Sequence, residues 1–291
     1  MQLFVNDLTV MDFSYLCPER GMVGESWIVD VVLDGALNEE SMVLDFGKVK
    51  KRLKALIDDY VDHKLLVPAD HPFSTVSRDP SSDTVQVDFA RPDGRSIHLC
   101  CPAEAYAFVY AEAVTMASVG QYLKDIIATH LPENVQGLQI ALRSEIIDTP
   151  YYHYTHGLKK HDGNCQRIAH GHRSKVNVIE NGVSSQQWAQ YWAERWCDIY
   201  IGTREDLIPL HDSVWRDSAY NLDAHHVFGY EASQGMFYLA IPEAECELVD
   251  TDSTVECLAQ FMADEQKRLC PDSAFEIWAY EGVGKGAIAY A

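Results

Sequence analysis

The feature that most constrains this chain is that its pattern of elements runs twice. In residues 1–146, extended segments at 2–16 and 25–35 are rich in β-branched residues, and the second closes on the turn glycine Gly35. The spacing predicts a helix over about 45–61, where Phe46, Val49, Leu53, Leu56, Ile57 and Tyr60 recur every three to four residues. A Pro/Ser/Asp-rich stretch (68–83) and a hairpin from Val85 to Leu99 on Pro92-Asp93-Gly94 follow. A helix near 114–130 and a strand at 138–145 end this half. Residues 147–291 repeat the order. Extended segments at 148–157 and 174–180 precede a helix near 185–197. A hairpin from Phe228 to Ile241 around Gln234-Gly235, a helix at about 254–269 and a strand at 275–281 complete it. Met22-Val23-Gly24-Glu25 aligns with Ala169-His170-Gly171-His172, and Cys101-Pro102-Ala103-Glu104 with Ile241-Pro242-Glu243-Ala244. The expectation is an α+β chain of two tandem domains, 1–146 and 147–291, each an antiparallel sheet with helices on one face.

At 291 residues, each half is long enough to bury its own core. Lys and Arg number 23 against 44 Asp and Glu, a net charge of −21, which argues against a nucleic-acid partner because phosphate backbones are held by clustered cations. No apolar run approaches the roughly 20 residues that span a bilayer, so no membrane partner is expected. The start, Met1-Gln2-Leu3-Phe4-Val5-Asn6-Asp7, lacks a basic-then-apolar leader, and a cytoplasmic protein is expected. The eight cysteines fit neither a CxxC zinc ribbon nor a dense disulfide framework. Cys100 and Cys101 are vicinal in an expected strand and point to opposite faces.

Five of the twelve histidines fall between His153 and His172. His170 and His172, at i and i+2 on extended backbone, project to one face, and Gly171 between them leaves room for an ion. His156 can join them if its strand pairs antiparallel with theirs. Three neutral imidazoles with a fourth position open make a catalytic rather than a structural zinc site. The competing reading is a set of hydrogen-bonded histidines with no metal.

Tyr152-His153-Tyr154-Thr155-His156-Gly157-Leu158, then Cys165, then His170-Gly171-His172 entering a strand, resembles the 6-pyruvoyl-tetrahydropterin synthase and 6-carboxy-tetrahydropterin synthase family of the tunnelling fold. Leu44-Asp45-Phe46-Gly47-Lys48-Val49-Lys50, followed by Asp62-His63, resembles that family's DF-x-x-LK helix and Asp-His catalytic pair. Ser253-Thr254-Val255-Glu256 resembles its pterin-anchoring segment, and Tyr280-Glu281 the Glu-Thr that ends its last strand. The halves differ in what they keep. The first has Asp62 and His63 but Val23-Gly24-Glu25 in place of the histidines, and Ala117 where the anchoring glutamate would fall. The second has the histidines, the cysteine and both glutamates. Its nearest Asp-His counterpart is the altered Asp223-Ala224-His225-His226. A fused pair could therefore share one site between its halves.

The resemblance implies a zinc-dependent lyase on 7,8-dihydroneopterin triphosphate, of the carbon–oxygen or carbon–carbon class, that works as a homo-oligomer. Zn(2+) would be held by His156, His170 and His172. Cys165 would be the general base beside Asp62 and His63, and Glu281, Glu256 and Thr254 would hold the pterin. Four residues separate Cys165 from His170, between the three of the carboxy-forming branch and the five of the pyruvoyl-forming branch, so the spacing selects neither. The 6-carboxy product is favoured slightly. Lys159, Lys160, Arg167, Arg173 and Lys175 form a basic island suited to a triphosphate or simply a solvated loop. Ser253-x-x-Glu256 also reads as a capping box. Gly282 to Gly286 reads as a terminal turn rather than a phosphate loop. Two other classes stay open: a zinc hydrolase on another heterocycle, and a non-catalytic pterin- or zinc-binding protein.

Overall fold

The computed structural model describes residues 1–78 and 80–291. Strands β1 (Gln2–Cys17) and β2 (Gly21–Gly35) form a long antiparallel hairpin, and β8 (Val135–Ser144) pairs antiparallel with β2. On the other side of β1, β3 (Leu65–Pro68) and β7 (Tyr106–Val109) are added in parallel. The first sheet thus runs β7-β3-β1-β2-β8. In the second half, β9 (Tyr151–His156) and β10 (His170–Glu180) form the central antiparallel pair. Strands β12 (Cys197–Thr203) and β15 (Cys246–Val249) lie parallel to one side, and β16 (Phe275–Tyr280) and β17 (Gly286–Tyr290) antiparallel to the other. The two-residue β11 (Val183–Ser184) pairs back on β10. The order β15-β12-β9-β10-β16 repeats that of the first sheet. The chain is α+β, and its sheets are antiparallel at their centres with parallel pairings at one edge that the sequence reading did not anticipate.

Each sheet is backed on one face by two helices. Helix α1 (Phe46–Tyr60) starts where the Asp45 side chain accepts from the Lys48 N–H, and it buries Val49, Leu53, Leu56 and Ile57. With α2 (Met116–Ala128) it covers Met11, Phe13, Val29, Val31 and Leu33 of the β1–β2 hairpin. In the second half, α3 (Gln186–Arg195) and α4 (Val255–Leu269) pack Trp192, Leu258, Met262 and Ala263 on Tyr152, Val176, Val178 and Ile277. Trp188, Tyr191 and Trp192 belong to this packing.

A third sheet ties the halves together. Strands β4 (Ser74–Arg78), β5 (Thr84–Phe89) and β6 (Ile97–Pro102) continue antiparallel into β14 (Gly235–Pro242) and β13 (His225–Ala232). The joint is β6–β14, with Leu99 opposite Leu239. Part of the Pro/Ser/Asp-rich stretch is therefore strand. Cys101 faces the core shared with Leu16, Met22 and Ile168, whereas Cys100 faces a small cluster with Trp215 and Leu222, so the vicinal cysteines do point to opposite faces.

The β1–β2 and β9–β10 hairpins pack against each other so closely that side chains are excluded at the crossing. A Cβ on Gly24 would lie 1.9 Å from the Tyr154 carbonyl oxygen, and one on Gly171 would lie 2.6 Å from the Gly24 Cα. Residues Gly21 to Val29 are buried in an unbroken run, because one face meets the helices and the other meets the second hairpin. Among the described residues no helix is long and apolar enough to cross a membrane.

Candidate metal centre and acid–base couple

His170 is the first residue of β10 and lies opposite His156, the last of β9; His172, two residues on, shares the face of His170. All three side chains are buried, with ring atoms within 4.8 Å of one another. Each ring turns Nδ1 away from this centre. His156 Nδ1 is 2.8 Å from the Ser253 carbonyl oxygen, and His170 Nδ1 is 3.1 Å from that of Arg167. His172 Nδ1 is 3.3 Å from Asp12 Oδ1 but outside hydrogen-bond geometry, so it is a buried nitrogen with no hydrogen-bond partner. These contacts leave Nε2 free on every ring. The Nε2 atoms of His156 and His172 are 3.2 Å apart. Two nitrogens bound tetrahedrally to one zinc at about 2.0–2.1 Å would be about 3.3 Å apart, so the donor set fits that ion. Burial, joined by the neighbouring imidazoles, drives the His156 and His170 pKa values well below the usual range and keeps both rings neutral, as ligation requires.

A second cluster shares His170. His63, Cys165 and His170 also lie with donor atoms within 4.8 Å. His63 Nδ1 is 2.8 Å from Asp62 Oδ2, and a His63 ring nitrogen lies within 4.8 Å of Cys165 Sγ. Burial lowers the His63 pKa, but the hydrogen bonds and charges of Asp62 and Cys165 outweigh it and push the value up to about 10. Asp62 and His63 follow α1 of the first half, whereas Cys165 lies in the loop between β9 and β10 of the second. One chain thus brings all three together. His63 sits at φ 56°, a left-handed conformation costing on the order of 1 kcal/mol for a non-glycine residue. Its N–H donates to the Asp12 carbonyl at 2.7 Å, and the Asp12 N–H donates to Asp62 Oδ1 at 2.7 Å, which hold the turn in place. The Cys165 loop is anchored by buried Gln166, whose Oε1 accepts from the Gln234 N–H at 2.7 Å.

Glu281 directly follows β16 and lies beside the histidines, with Oε1 3.9 Å from His172 Nε2 and Oε2 3.7 Å from Lys285 Nζ. Glu256 is exposed on the first turn of α4, and no contact joins it to the histidines. The cap of that helix is Thr254, which accepts from the Cys257 N–H; the Ser253 hydroxyl is instead 3.2 Å from His156 Nδ1. The expected Ser253–Glu256 capping box is therefore replaced by a cap one residue later. His225 begins β13 and Asp223 lies two residues before it; His225 Nε2 meets the Ser96 carbonyl, outside this centre. By position between helix and strand, the counterpart of Asp62-His63 is Cys197-Asp198, and Asp198 has the same left-handed backbone, φ 54°.

The basic island is already paired. Lys159 binds Asp206 and Glu205, Lys160 binds Asp252, and Lys175 binds Glu145. Arg173 donates to the Glu145 carbonyl and stacks on Tyr151, while Arg167 is buried with Gln234 and the His63 carbonyl. Sequence reasoning also missed Asp12, Ser26 and Lys285, which meet at one point beside His172. A buried acid in the apolar run Val10-Met11-Asp12-Phe13 was the available signal.

Residues 17–145 match the sequence model of the family described as 6-pyruvoyl tetrahydropterin synthase. The likeness to that family is carried by this one segment, under half of the chain. The matched segment is the half that holds Asp62 and His63. Similar solved structures include a 6-pyruvoyl tetrahydropterin synthase from Plasmodium vivax, 14% identical over 51% of this chain and 93% of that one, TM-score 0.40. Another is its Plasmodium falciparum counterpart, 13% identical over 50% and 91%, TM-score 0.39. No curated protein matches.

Proposed function

We propose that this chain is a zinc-dependent lyase of the pterin synthase type, built from two tandem tunnelling-fold domains, 1–146 and 147–291, that share one active centre. The observation that carries the reading is that His156, His170 and His172 converge beside a Cys165–His63–Asp62 array drawn from both halves. The substrate it favours is 7,8-dihydroneopterin triphosphate, with 6-carboxy-tetrahydropterin as product ahead of the 6-pyruvoyl compound.

Zinc, which the three Nε2 atoms would hold, would supply Lewis acidity toward the substrate's side-chain hydroxyls. The remaining work falls to side chains. Cys165 Sγ takes a proton from the carbon beside those hydroxyls, and His63, fixed by Asp62, stabilises the thiolate and exchanges the proton. Glu281 accepts from the pterin's amino and ring N–H groups and sets the ring's orientation. Glu256 and Thr254 take part only if a pterin reaches the first turn of α4. The exposed position of Glu256 suits a contact completed by a second copy of the chain, so the working form proposed is a homo-oligomer in the cytoplasm.

One observation favours a second reading. The lysines and arginines of 159–175 are already occupied by acids and backbone carbonyls, which leaves a triphosphate fewer partners and suits a zinc hydrolase on a different heterocycle.

The test is metal content of purified wild type and of a His170→Ala/His172→Ala variant, then turnover of dihydroneopterin triphosphate with product identification. About one zinc per chain, lost in the variant together with turnover, is the expected result. A wild type without zinc overturns the proposal. Zinc without turnover, or full activity in Cys165→Ala, moves the assignment to the hydrolase.

A further inference from the structure

Asp12 is 3% exposed at the centre of β1, and it touches both the histidine cluster and the acid–base couple. Its peptide group holds the acid–base couple: the N–H donates to Asp62 Oδ1 and the carbonyl accepts from the His63 N–H, each at 2.7 Å. Its carboxylate turns the other way. Oδ1 accepts from Ser26 Oγ at 2.5 Å and lies 3.3 Å from His172 Nδ1, and Oδ2 lies 3.3 Å from Lys285 Nζ. Room for this arrangement depends on Gly282, where a Cβ would come within 2.5 Å of Asp12 Oδ1; its φ is +69°.

His156 and His170 have their Nδ1 atoms placed by backbone carbonyls, which no side-chain substitution removes. His172 has no carbonyl in that role. Among the described residues its Nδ1 is buried without a hydrogen bond, and the Asp12 carboxylate, contributed by the other half of the chain, lies 3.3 Å away. At that distance the two atoms are within reach, so a small rotation of the ring would align the N–H with the carboxylate, and with the proton on Nδ1 the Nε2 lone pair faces His156 and His170.

We propose that Asp12 is a positioning residue that sets the tautomer and ring angle of His172, so that the first half of the chain completes the metal site of the second without supplying a ligand. This rests on the metal-centre reading above. Lys285 and Ser26 keep the carboxylate in place, and the same β1 backbone sets Asp62 and His63, so metal site and couple are registered to each other through one residue.

The test is Co(II) and Zn(II) affinity, by competition with a chromophoric chelator, for wild type, Asp12→Asn, Asp12→Ala and Glu25→Gln. The visible ligand-field spectrum of the Co(II) forms and their thermal melting are recorded on the same samples. Removing an outer partner of a metal-bound histidine typically lowers affinity 10–100-fold. The expected result is a loss near the lower end in Asp12→Asn and near the upper end in Asp12→Ala, with an altered Co(II) spectrum. Glu25→Gln, at a buried acid outside the histidine cluster, should bind as wild type does. Asp12→Asn preserves shape and backbone contacts and carries the test if Asp12→Ala does not fold. Wild-type affinity and spectrum in a folded Asp12→Asn would overturn the inference while leaving the metal centre standing. A wild type that binds neither ion removes both.

Discussion

Ser14 Oγ and Thr155 Oγ1 lie 2.7 Å apart, and the two hydroxyls occupy the same position in the two halves. Ser14 is opposite Gly24 in the β1–β2 pair, and Thr155 is opposite Gly171 in the β9–β10 pair. The same register makes Asp12 the counterpart of His153 and Glu25 the counterpart of His172. Two cross-half pairs result, Asp12 with His172 at 3.3 Å and His153 with Glu25 at 3.9 Å, in which acid and imidazole have changed places. A further exchange lies beside them. Where His63 meets Cys165, the counterpart Asp198 meets Arg20 through two hydrogen bonds, 2.8 and 2.5 Å.

The crossing of the hairpins leaves no space for a methyl group. Gly171→Ala would place a Cβ 2.4 Å from the Tyr154 carbonyl oxygen and 2.6 Å from Ser14 Oγ, and backbone cannot step aside as a flexible side chain can. The expected loss is about 3 kcal/mol or more by urea denaturation, at the upper end of overpacking costs. Gly120→Ala, in α2 with its nearest neighbour 4.0 Å away, should be neutral or stabilising by up to about 1 kcal/mol. Equal stability of the two variants would contradict the close approach.

Cys165→Ala and His63→Ala should separate chemistry from metal binding. Neither residue belongs to the three-histidine set, so zinc content should stay at the wild-type level while turnover falls about 10²–10⁴-fold, the usual weight of a general acid–base group. Loss of zinc in either variant would show that the two clusters are one ligand set centred on His170.

Glu25 makes stability depend on pH. Burial raises its pKa from 4.5 to about 7, so the folded chain holds this proton more tightly than the unfolded one. Its contribution is complete below about pH 4.5 and is lost as pH rises through 7. Facing His153 pulls the other way: burial lowers its pKa to about 4, and its contribution is lost as pH falls from 6.5 through 4. The difference between wild type and Glu25→Gln isolates the acid. Denaturation from pH 4.5 to 8 should show the variant gaining on wild type by up to about 3 kcal/mol, at 1.36 kcal/mol per pKa unit. A pH-independent difference would rule out the raised pKa.

Arg20 and Asp198 act as a staple between the halves. Asp198→Asn keeps a residue tolerant of the left-handed backbone but removes the charge facing a half-buried guanidinium. A loss of about 1–2 kcal/mol in chemical denaturation is expected, with metal content unchanged. An Asp198→Asn variant short of zinc would show that the staple supports the centre directly.

The sequence by itself determined what depends on neighbours along the chain. Apolar spacing of three to four marked α1 to α4, and i, i+2 spacing on extended backbone put His170 and His172 on one face. The repeat was legible because Val23-Gly24-Glu25 and His170-Gly171-His172 hold the same place in equivalent hairpins. The parallel edge strands β3, β7 and β15 escaped notice because four residues are too few to show a period. Tertiary structure decided everything that needs two faces to meet. Asp62 and His63 come within reach of Cys165, and Asp12 within reach of His172, only because the hairpins cross at two glycines. Likewise, five cations read as a basic island until distant Asp206, Asp252 and Glu145 folded against them. The pattern of one strand specifies which side chains share a face; what lies opposite that face is set by the packing of elements a hundred residues away.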